Sequence, residues 1–189
     1  MHDSLFYVPG AQLSQPELSA ARLDGLVFEL GAGYMPADLP EGPSARLRAV
    51  AAMMIPGYAA SGSTAAWVHG AGDAPPSQHH FQRAVEHRPR VTRMRHVVVH
   101  EGLLPSDDLV TIGEIAVSTP LRTLTDLVVG ADRYPEYTVW MQRMARITPD
   151  LVPLVAERLV ARGRAPGRQA ARTRLQRLAE DVAQEEVTR

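Results

Sequence analysis

Arginine is the residue in this sequence whose chemistry and spacing most clearly point to a partner. All 20 basic residues are arginine, and five of them fall within residues 82–100 beside a single glutamate. A guanidinium group carries a planar fork of donors that suits phosphate and carboxylate. We therefore predict that this stretch forms a hairpin around Pro89 and contacts a nucleic-acid backbone, the alternative being a solvated face. The five residues are Arg83, Arg88, Arg90, Arg93 and Arg95.

A second arginine cluster lies before and within the first half of the predicted last helix. Residues 162–177 contain six arginines and no acid, whereas four acids follow between 180 and 186. This order opposes the helix dipole, which favours acids first and bases last. An acidic partner therefore explains the arginines better, and Arg168 and Arg172 are predicted partner-binding residues. An apolar seam on the same helix predicts docking on the core or on a second chain. The seam comprises Ala171, Leu175, Leu178 and Val182.

Histidine is the residue type that could support a metal site. The four candidates are His79, His80, His96 and His100. On a strand over residues 95–100, His96 and His100 would lie about 13 Å apart, too far to bind one ion. We therefore predict no metal site and no cofactor. We expect these histidines to be polar residues at an edge, with phosphate contact as the minor alternative.

Residues 117–127, VSTPLRTLTDL, combine a strand end, a helix start and an ion pair in one segment. Thr119 before Pro120 is typical of an N-cap followed by the first helical residue. Arg122 is four residues before an aspartate, a spacing that pairs the two on one helix face. A nucleophilic Ser118 would need a base beside it, and no histidine is near in sequence. We predict a structural joint, the alternative being an anion held by Arg122.

The composition excludes several classes of enzyme. The sequence has no cysteine, which rules out disulfides, zinc-thiolate sites and thiol catalysis. It has no lysine, which rules out Schiff bases and a phosphate-loop lysine. Turn chemistry explains the acid pair Asp107 and Asp108 before a strand. We therefore predict a protein that is not an enzyme and has no catalytic residues.

The size and patterning of the chain favour a folded protein outside the membrane. It has 189 residues, 45% of them hydrophobic, and a net charge of −1, which is enough to bury a core. No stretch approaches the roughly 18 to 20 apolar residues of a membrane span. The N-terminus lacks the basic and apolar regions of a signal peptide. We expect a cytoplasmic protein that does not bind a membrane.

Turn residues and apolar periodicity together predict an α+β fold. A helix capped by Ser14, with Leu18 and Leu23 facing inward, precedes a β-hairpin with glycines at 31 and 33. A central mixed α/β core follows, beginning with a helix that Ser44 caps and that Pro56 and Gly57 end. A second helix is predicted within residues 61–72, with Ser63 as its cap. A hairpin is predicted over residues 108–119. The C-terminal part is helical, and Thr148 is the predicted cap of one of its helices.

Three segments together resemble the AbiEi-type antitoxin family of type IV toxin-antitoxin systems, in its actinobacterial branch. They are LSQPELSAARLDGLVFELGAGYMPAD, YAASGSTAAWVHGAG and VVVHEGLLPSDDLVTIGEIAVSTPLRTLTDL, which span roughly residues 13–130. The first segment is similar to the end of a winged helix-turn-helix DNA-binding domain. About a dozen residues precede Ser14, so the resemblance implies a truncated winged helix. We therefore predict a partial winged-helix-like segment over residues 1–40 and an antitoxin domain with a helical end over 41–189.

The resemblance also implies a function and two partners. Members of the family repress their own operon through the winged helix and counter a nucleotidyltransferase-like toxin encoded beside them. Gln15, Ser19 and Arg22 on the first helix would then contact promoter DNA together with the arginines of residues 82–100. The alternative is a protein-interaction module that docks through its C-terminal helices and does not bind DNA.

Overall fold

A computed structural model describes residues 6–92, 94–161 and 167–187, the side chains of residues 168 and 185–187 excepted. It confirms the predicted α+β class. The helices are α1 (Gln15–Leu23), α2 (Pro43–Val50), α3 (Gly62–Val68), α4 (Pro120–Gly130), α5 (Tyr137–Ile147), α6 (Leu151–Ala161) and α7 (Arg168–Val187). The strands are β1 (Val27–Leu30), β2 (Gly33–Pro36), β3 (Tyr58–Ser61), β4 (His79–Arg83), β5 (Val97–His100), β6 (Leu109–Ile112) and β7 (Ile115–Ser118).

Helix α1 and the antiparallel hairpin β1–β2 form a small unit with its own apolar cluster. The predicted Ser14 cap is confirmed and forms a capping box, since the Ser14 amide donates to the Glu17 carboxylate at 2.8 Å and Ser14 Oγ accepts from the Glu17 amide. Leu18 is buried in the cluster, as predicted. The prediction for Leu23 is wrong, because its side chain is 82% exposed. Five residues after Leu18, it points about 140° away around the helix.

The main sheet has five strands in the order β5–β4–β3–β7–β6. Strand β3 is central, antiparallel to β4 and parallel to β7. The predicted hairpin over residues 108–119 is confirmed as β6–β7, with Gly113 in its turn at a φ of +64°.

The central strand β3 was not predicted from the sequence, which indicated only a helix within residues 61–72. That helix is confirmed as α3, but its N-cap is Ser61 rather than the predicted Ser63. The residues of β3, YAAS, contain no β-branched side chain and are all buried. A strand buried on both faces has no apolar alternation, and alanine favours helices over strands. The pattern of these four residues therefore gave no strand signal.

The predicted hairpin around Pro89 is also wrong. Strands β4 and β5 are parallel, with His79 opposite Val97 and Gln82 opposite His100. The 13 residues from 84 to 96 return the chain to the edge of the sheet where β4 begins. Strand β5 can therefore run in the same direction as β4. Periodicity indicates that two strands exist but not whether they run in the same direction.

Two predicted helix caps are displaced. Helix α2 begins after Gly42 with Pro43 in its first turn, so Ser44 lies inside the helix. Proline fixes the φ of a first helical residue, which places the cap before it. Thr148 ends α5 instead of capping α6, and its hydroxyl donates to a carbonyl in the last turn of α5 at 2.7 Å.

Helix α4 is the centre of the helical layer and contacts α3, α5, α6 and α7. The main core joins Trp67 of α3, Phe81 of β4 and Met144 of α5, all fully buried. The apolar seam of α7 packs on this core, so the predicted docking on the core is confirmed. Among the described residues, no helix is long and apolar enough to cross a membrane.

Candidate functional site

The basic stretch predicted from the sequence forms the loop of residues 84–96, which we call the arginine loop. Arg88, Arg90 and Arg95 are exposed. Among the described residues, no hydrogen bond or ion pair holds their guanidinium groups. Glu86 is the only acid in the loop sequence, and Arg93 lies outside the described residues. The loop therefore presents three cations to solvent without neutralising them.

Arg83, at the end of β4, has a different environment from the other arginines of this stretch. Its Nε donates to the carbonyl of Glu101 at 3.0 Å. Its Nη1 donates to the carbonyls of Val85 at 2.8 Å and Glu86 at 2.6 Å. Arg83 thus fastens the start of the arginine loop to the end of β5, and most of its donors are already used.

The rest of the arginine loop is held against the core by apolar contacts and by one strained residue. A Cβ on Gly57 would lie 2.7 Å from Val85 and 3.1 Å from Pro89, so the loop packs closely over this glycine. His96 has a φ of +61°, and its carbonyl accepts from the His79 amide at 2.7 Å. The loop is therefore fixed at both ends, and Arg88, Arg90 and Arg95 are exposed on it.

The candidate DNA-contacting residues of α1 also differ in whether other side chains of the protein hold them. Gln15 Nε2 donates to Tyr34 Oη at 2.8 Å, which links α1 to the hairpin, and to Ser19 Oγ at 3.3 Å within the helix. Arg22 is exposed and has no such contact among the described residues. Leu26 beside it is 65% exposed. Arg22 is the residue of this helix that is free to reach a partner.

Several arginines elsewhere in the described chain are paired with acids, in contrast to the arginine loop. Arg122 is one example, 2.7 Å from Asp126 and 2.8 Å from Asp108. Arginines in these pairs contact their own chain rather than a partner. The pairs are Arg46 with Glu41, Arg122 with Asp108 and Asp126, Arg158 with Asp108, and Arg174 with Asp132.

The segment at residues 117–127 has the predicted cap and ion pair, and it belongs to a larger network around Asp108. Thr119 accepts from the Arg122 amide at 3.3 Å. Asp108 Oδ2 accepts from Arg122 Nη1 at 2.8 Å and from Arg158 Nη2 at 2.6 Å. Burial alone would raise the pKa of Asp108, but the hydrogen bonds from the two arginines outweigh it and hold this pKa below its usual value. We call this the Asp108 network.

A cavity of about 570 Å³ opens between the main sheet and helices α4 and α5. Its wall includes Ser61, His100, Arg133 and Tyr134. The buried Ser61 hydroxyl has no hydrogen-bond partner among the described residues. The guanidinium of Arg133 lies 5.4 Å from the Tyr134 ring centre, a cation–π distance. The cavity is large enough for a small molecule.

Two histidines meet beside this cavity, although they are 20 residues apart in sequence. His80 Nδ1 lies 3.0 Å from His100 Nε2 and 2.7 Å from Tyr137 Oη. On the other side of the ring, His80 Nε2 lies 3.4 Å from a Glu136 carboxylate oxygen. Burial, with the charge of His100 as a second cause, lowers the pKa of His80 to about 3. Burial and Arg133 lower the pKa of His100 to about 4, so both rings are neutral at neutral pH.

The prediction that the histidines lie at an edge is wrong for His79 and His80, whereas His100 lies on the edge strand β5 and His96 is exposed just before it. His79 and His80 are instead buried in β4. Within the described residues, no three histidine, aspartate or glutamate side chains are placed to hold a metal ion. The His80 and His100 contact depends on the parallel pairing of β4 and β5, which the sequence did not reveal.

The candidate partner-binding arginines lie at the start of α7. Arg172 is exposed and lines a groove between α6 and α7. Arg168 is the first residue of the helix, and its side chain is outside the described part. Arg174, by contrast, donates to the carbonyl of Val128 at 2.8 Å and pairs with Asp132.

Comparison with known protein families gives a match to an antitoxin family. The family model described as "AbiEi antitoxin C-terminal domain" matches residues 58–181, which run from β3 into α7. The match includes the main sheet, the arginine loop and the Asp108 network. No curated protein matches the chain.

Proposed function

Because the chain belongs to the AbiEi antitoxin family, we propose that it is a cytoplasmic antitoxin that binds the DNA of its own promoter and represses it. We further propose that it counters a nucleotidyltransferase-like toxin encoded beside it. The family match supports the antitoxin role. The DNA-binding role is supported by the chemistry of the arginine loop.

The observation that carries the DNA-binding proposal is that Arg88, Arg90 and Arg95 are exposed and have no acid partner among the described residues. Three guanidinium groups without acids lie on a loop that is anchored at both ends. Exposed arginines of this kind bind phosphate oxygens through charge-assisted hydrogen bonds. Each neutralised phosphate releases condensed counterions, so binding through this loop depends steeply on salt.

Helix α1 and its hairpin supply a second contact in this proposal. A helix followed by a two-stranded hairpin is the order of a recognition helix and its wing. Among the described residues no contact holds the Arg22 side chain, whereas Gln15 links the helix to the hairpin and Ser19 accepts from Gln15. We therefore assign the larger part of the affinity to the arginine loop and a smaller part to Arg22.

The buried histidine pair supports a role without catalysis. A general base works best when its pKa is near the pH of the reaction. His80 and His100, with pKa values of about 3 and 4, are far weaker bases than this. Burial also raises the pKa of Tyr137, the hydroxyl next to them, which disfavours its ionisation as a nucleophile.

Fluorescence anisotropy on a DNA fragment from upstream of the gene tests this function. Three loop contacts and Arg22 would neutralise about four phosphates, so log K should fall against log salt with a slope of about −3.6. An unrelated fragment of equal length is the control and should bind more weakly at physiological salt. The absence of binding at low salt would contradict the proposed DNA-binding role while leaving the family assignment intact.

A second candidate function is a protein-interaction module that docks through its C-terminal helices. It is favoured by the exposed Arg172 beside the apolar groove between α6 and α7. Co-purification with the product of the neighbouring gene tests it. If Arg172→Glu removes the partner and leaves promoter binding unchanged, the C-terminal helices are the partner surface. If Arg172→Glu retains the partner, docking at this position is excluded.

A further inference from the structure

Helices α6 and α7 leave an open apolar groove between them, which we call the α6–α7 groove. Two adjoining hollows of about 430 Å³ and 360 Å³ form it and share Val152, Pro153 and Ala179. Val160, on its wall, is 58% exposed. The apolar residues that line it are Val152, Pro153, Ala156, Val160, Leu175, Ala179, Val182 and Ala183.

The two ends of the α6–α7 groove carry opposite charges. Arg172 lines the hollow that also holds Val160, whereas Asp150 lines the hollow that also holds Ala183. On α7, the distance from Arg172 to Ala183 is about 16 Å at the usual helical rise. Both charged side chains are exposed, and neither has an ion pair or hydrogen bond within the described chain. Counting only the described residues, the groove thus has one cation and one anion without a partner, at opposite ends.

We propose that a second copy of this chain occupies the groove, with the α6–α7 grooves of two copies packed face to face about a two-fold axis. A two-fold axis across the groove reverses its direction, so Arg172 of each copy meets Asp150 of the other. The apolar walls then cover one another. The surface complements itself in both charge and polarity.

A second copy of the chain supplies both charges that the groove needs, an acid at position 150 and a base at position 172. A different protein would have to bring an acid and a base at matching positions about 16 Å apart. Because the groove is short, the interface should bury an area near the lower limit for specific protein interfaces. The dimer should therefore form in the micromolar range rather than at nanomolar concentration.

Sedimentation velocity of the full chain without DNA measures the dimer, from about 1 µM to about 200 µM. Arg172→Glu places two acids at each end of the interface, and Asp150→Arg places two bases there. Each variant alone should weaken dimerisation by about tenfold or more. Arg177→Glu is the matched control, because it changes the net charge equally at an exposed site that does not line the groove.

Mixing the two single variants in equal amounts is the decisive measurement. Glu at 172 then faces Arg at 150, and the native pair forms at the other end, so the mixture should dimerise as the wild type does. A mixture that stays monomeric overturns the proposal, as does a wild type that is monomeric throughout or an Arg177→Glu variant that is weakened equally. A monomeric wild type would leave the groove to another protein. The DNA-binding proposal is tested separately, because no DNA is present.

Discussion

Arginines in the arginine loop and arginines in the Asp108 network differ in what their guanidinium groups contact. Arg122 and Arg158 converge on one buried carboxylate. Arg88, Arg90 and Arg95 have no acid partner within the described chain. The same side chain therefore has a structural role where an acid is within reach and is available to a partner where none is. This difference predicts that stability and DNA affinity depend on separate arginines.

The largest expected effect is the loss of the carboxylate at the centre of the Asp108 network. Asp108→Asn removes the charge but keeps the size, and leaves two partly buried guanidinium groups without their shared acid. We expect the free energy of unfolding to fall by about 3 kcal/mol, as measured by urea denaturation. Asp107→Asn, at the exposed neighbouring position, should change it by less than about 0.5 kcal/mol. Equal effects of the two variants would show that the network does not stabilise the fold.

The buried histidine pair should make the fold sensitive to acid. In the unfolded chain each ring takes up a proton near its ordinary pKa of 6.5, whereas in the folded chain His80 and His100 do so only at about 3 and 4. The unfolded state therefore binds more protons between these values. Stability is fully present above about pH 6.5 and falls as the pH drops toward 4. Each ring should lower the free energy of unfolding by about 2 kcal/mol when the pH falls from 7 to 5.

Urea denaturation of variants at pH 7 and pH 5 checks this dependence. His100→Phe removes one of the two titrating rings and should reduce the loss of stability on acidification by about 2 kcal/mol. His87→Asn, at an exposed position in the arginine loop, should leave the loss unchanged. An unchanged pH dependence in His100→Phe would contradict the assignment of the acid sensitivity to this pair.

A smaller effect is expected at the start of α4. Thr119→Ala removes the N-cap acceptor for the Arg122 amide and should lower the free energy of unfolding by about 1 kcal/mol. Thr119→Ser retains the hydroxyl and should recover most of the loss. If serine does not recover it, the methyl group of Thr119 rather than its cap accounts for the effect.

The smallest effect on stability is expected in the arginine loop. The combined change Arg88→Ala, Arg90→Ala and Arg95→Ala removes three exposed side chains without an acid partner. The free energy of unfolding should change by less than about 0.5 kcal/mol for each position, as thermal or urea unfolding would show. A loss of several kcal/mol would mean that these arginines hold the fold and are not reserved for a partner.

Local chemistry in the sequence predicted the elements whose signals lie within a few residues. The Ser14 capping box, the β6–β7 hairpin and the Thr119 cap are confirmed because each depends on neighbours in sequence. Strand β3 was missed because its four residues are all buried, so apolar and polar residues do not alternate, and none of them is β-branched. The direction of β5 was wrong because periodicity carries no information about strand polarity.

The candidate site was predictable in composition but not in geometry. The sequence showed that residues 82–100 are rich in arginine. Of the four arginines that the structure describes there, Arg83 binds backbone carbonyls and the other three have no acid partner among the described residues. The role of Asp108 was missed because its partners lie 14 and 50 residues away. The boundary near residue 40 stays a prediction. It separates the α1 and hairpin unit from the segment that contains the family match.

DNA binding by the arginine loop is the central claim, and the salt dependence of three proteins tests it most directly. The wild type is compared with the triple alanine variant at 88, 90 and 95 and with the triple lysine variant, using anisotropy on the promoter fragment. Alanine should make the slope of log K against log salt shallower by about 2.7, since three phosphate contacts are lost. Lysine should keep most of the slope because it keeps the charge. An alanine variant with wild-type affinity and slope would contradict the account.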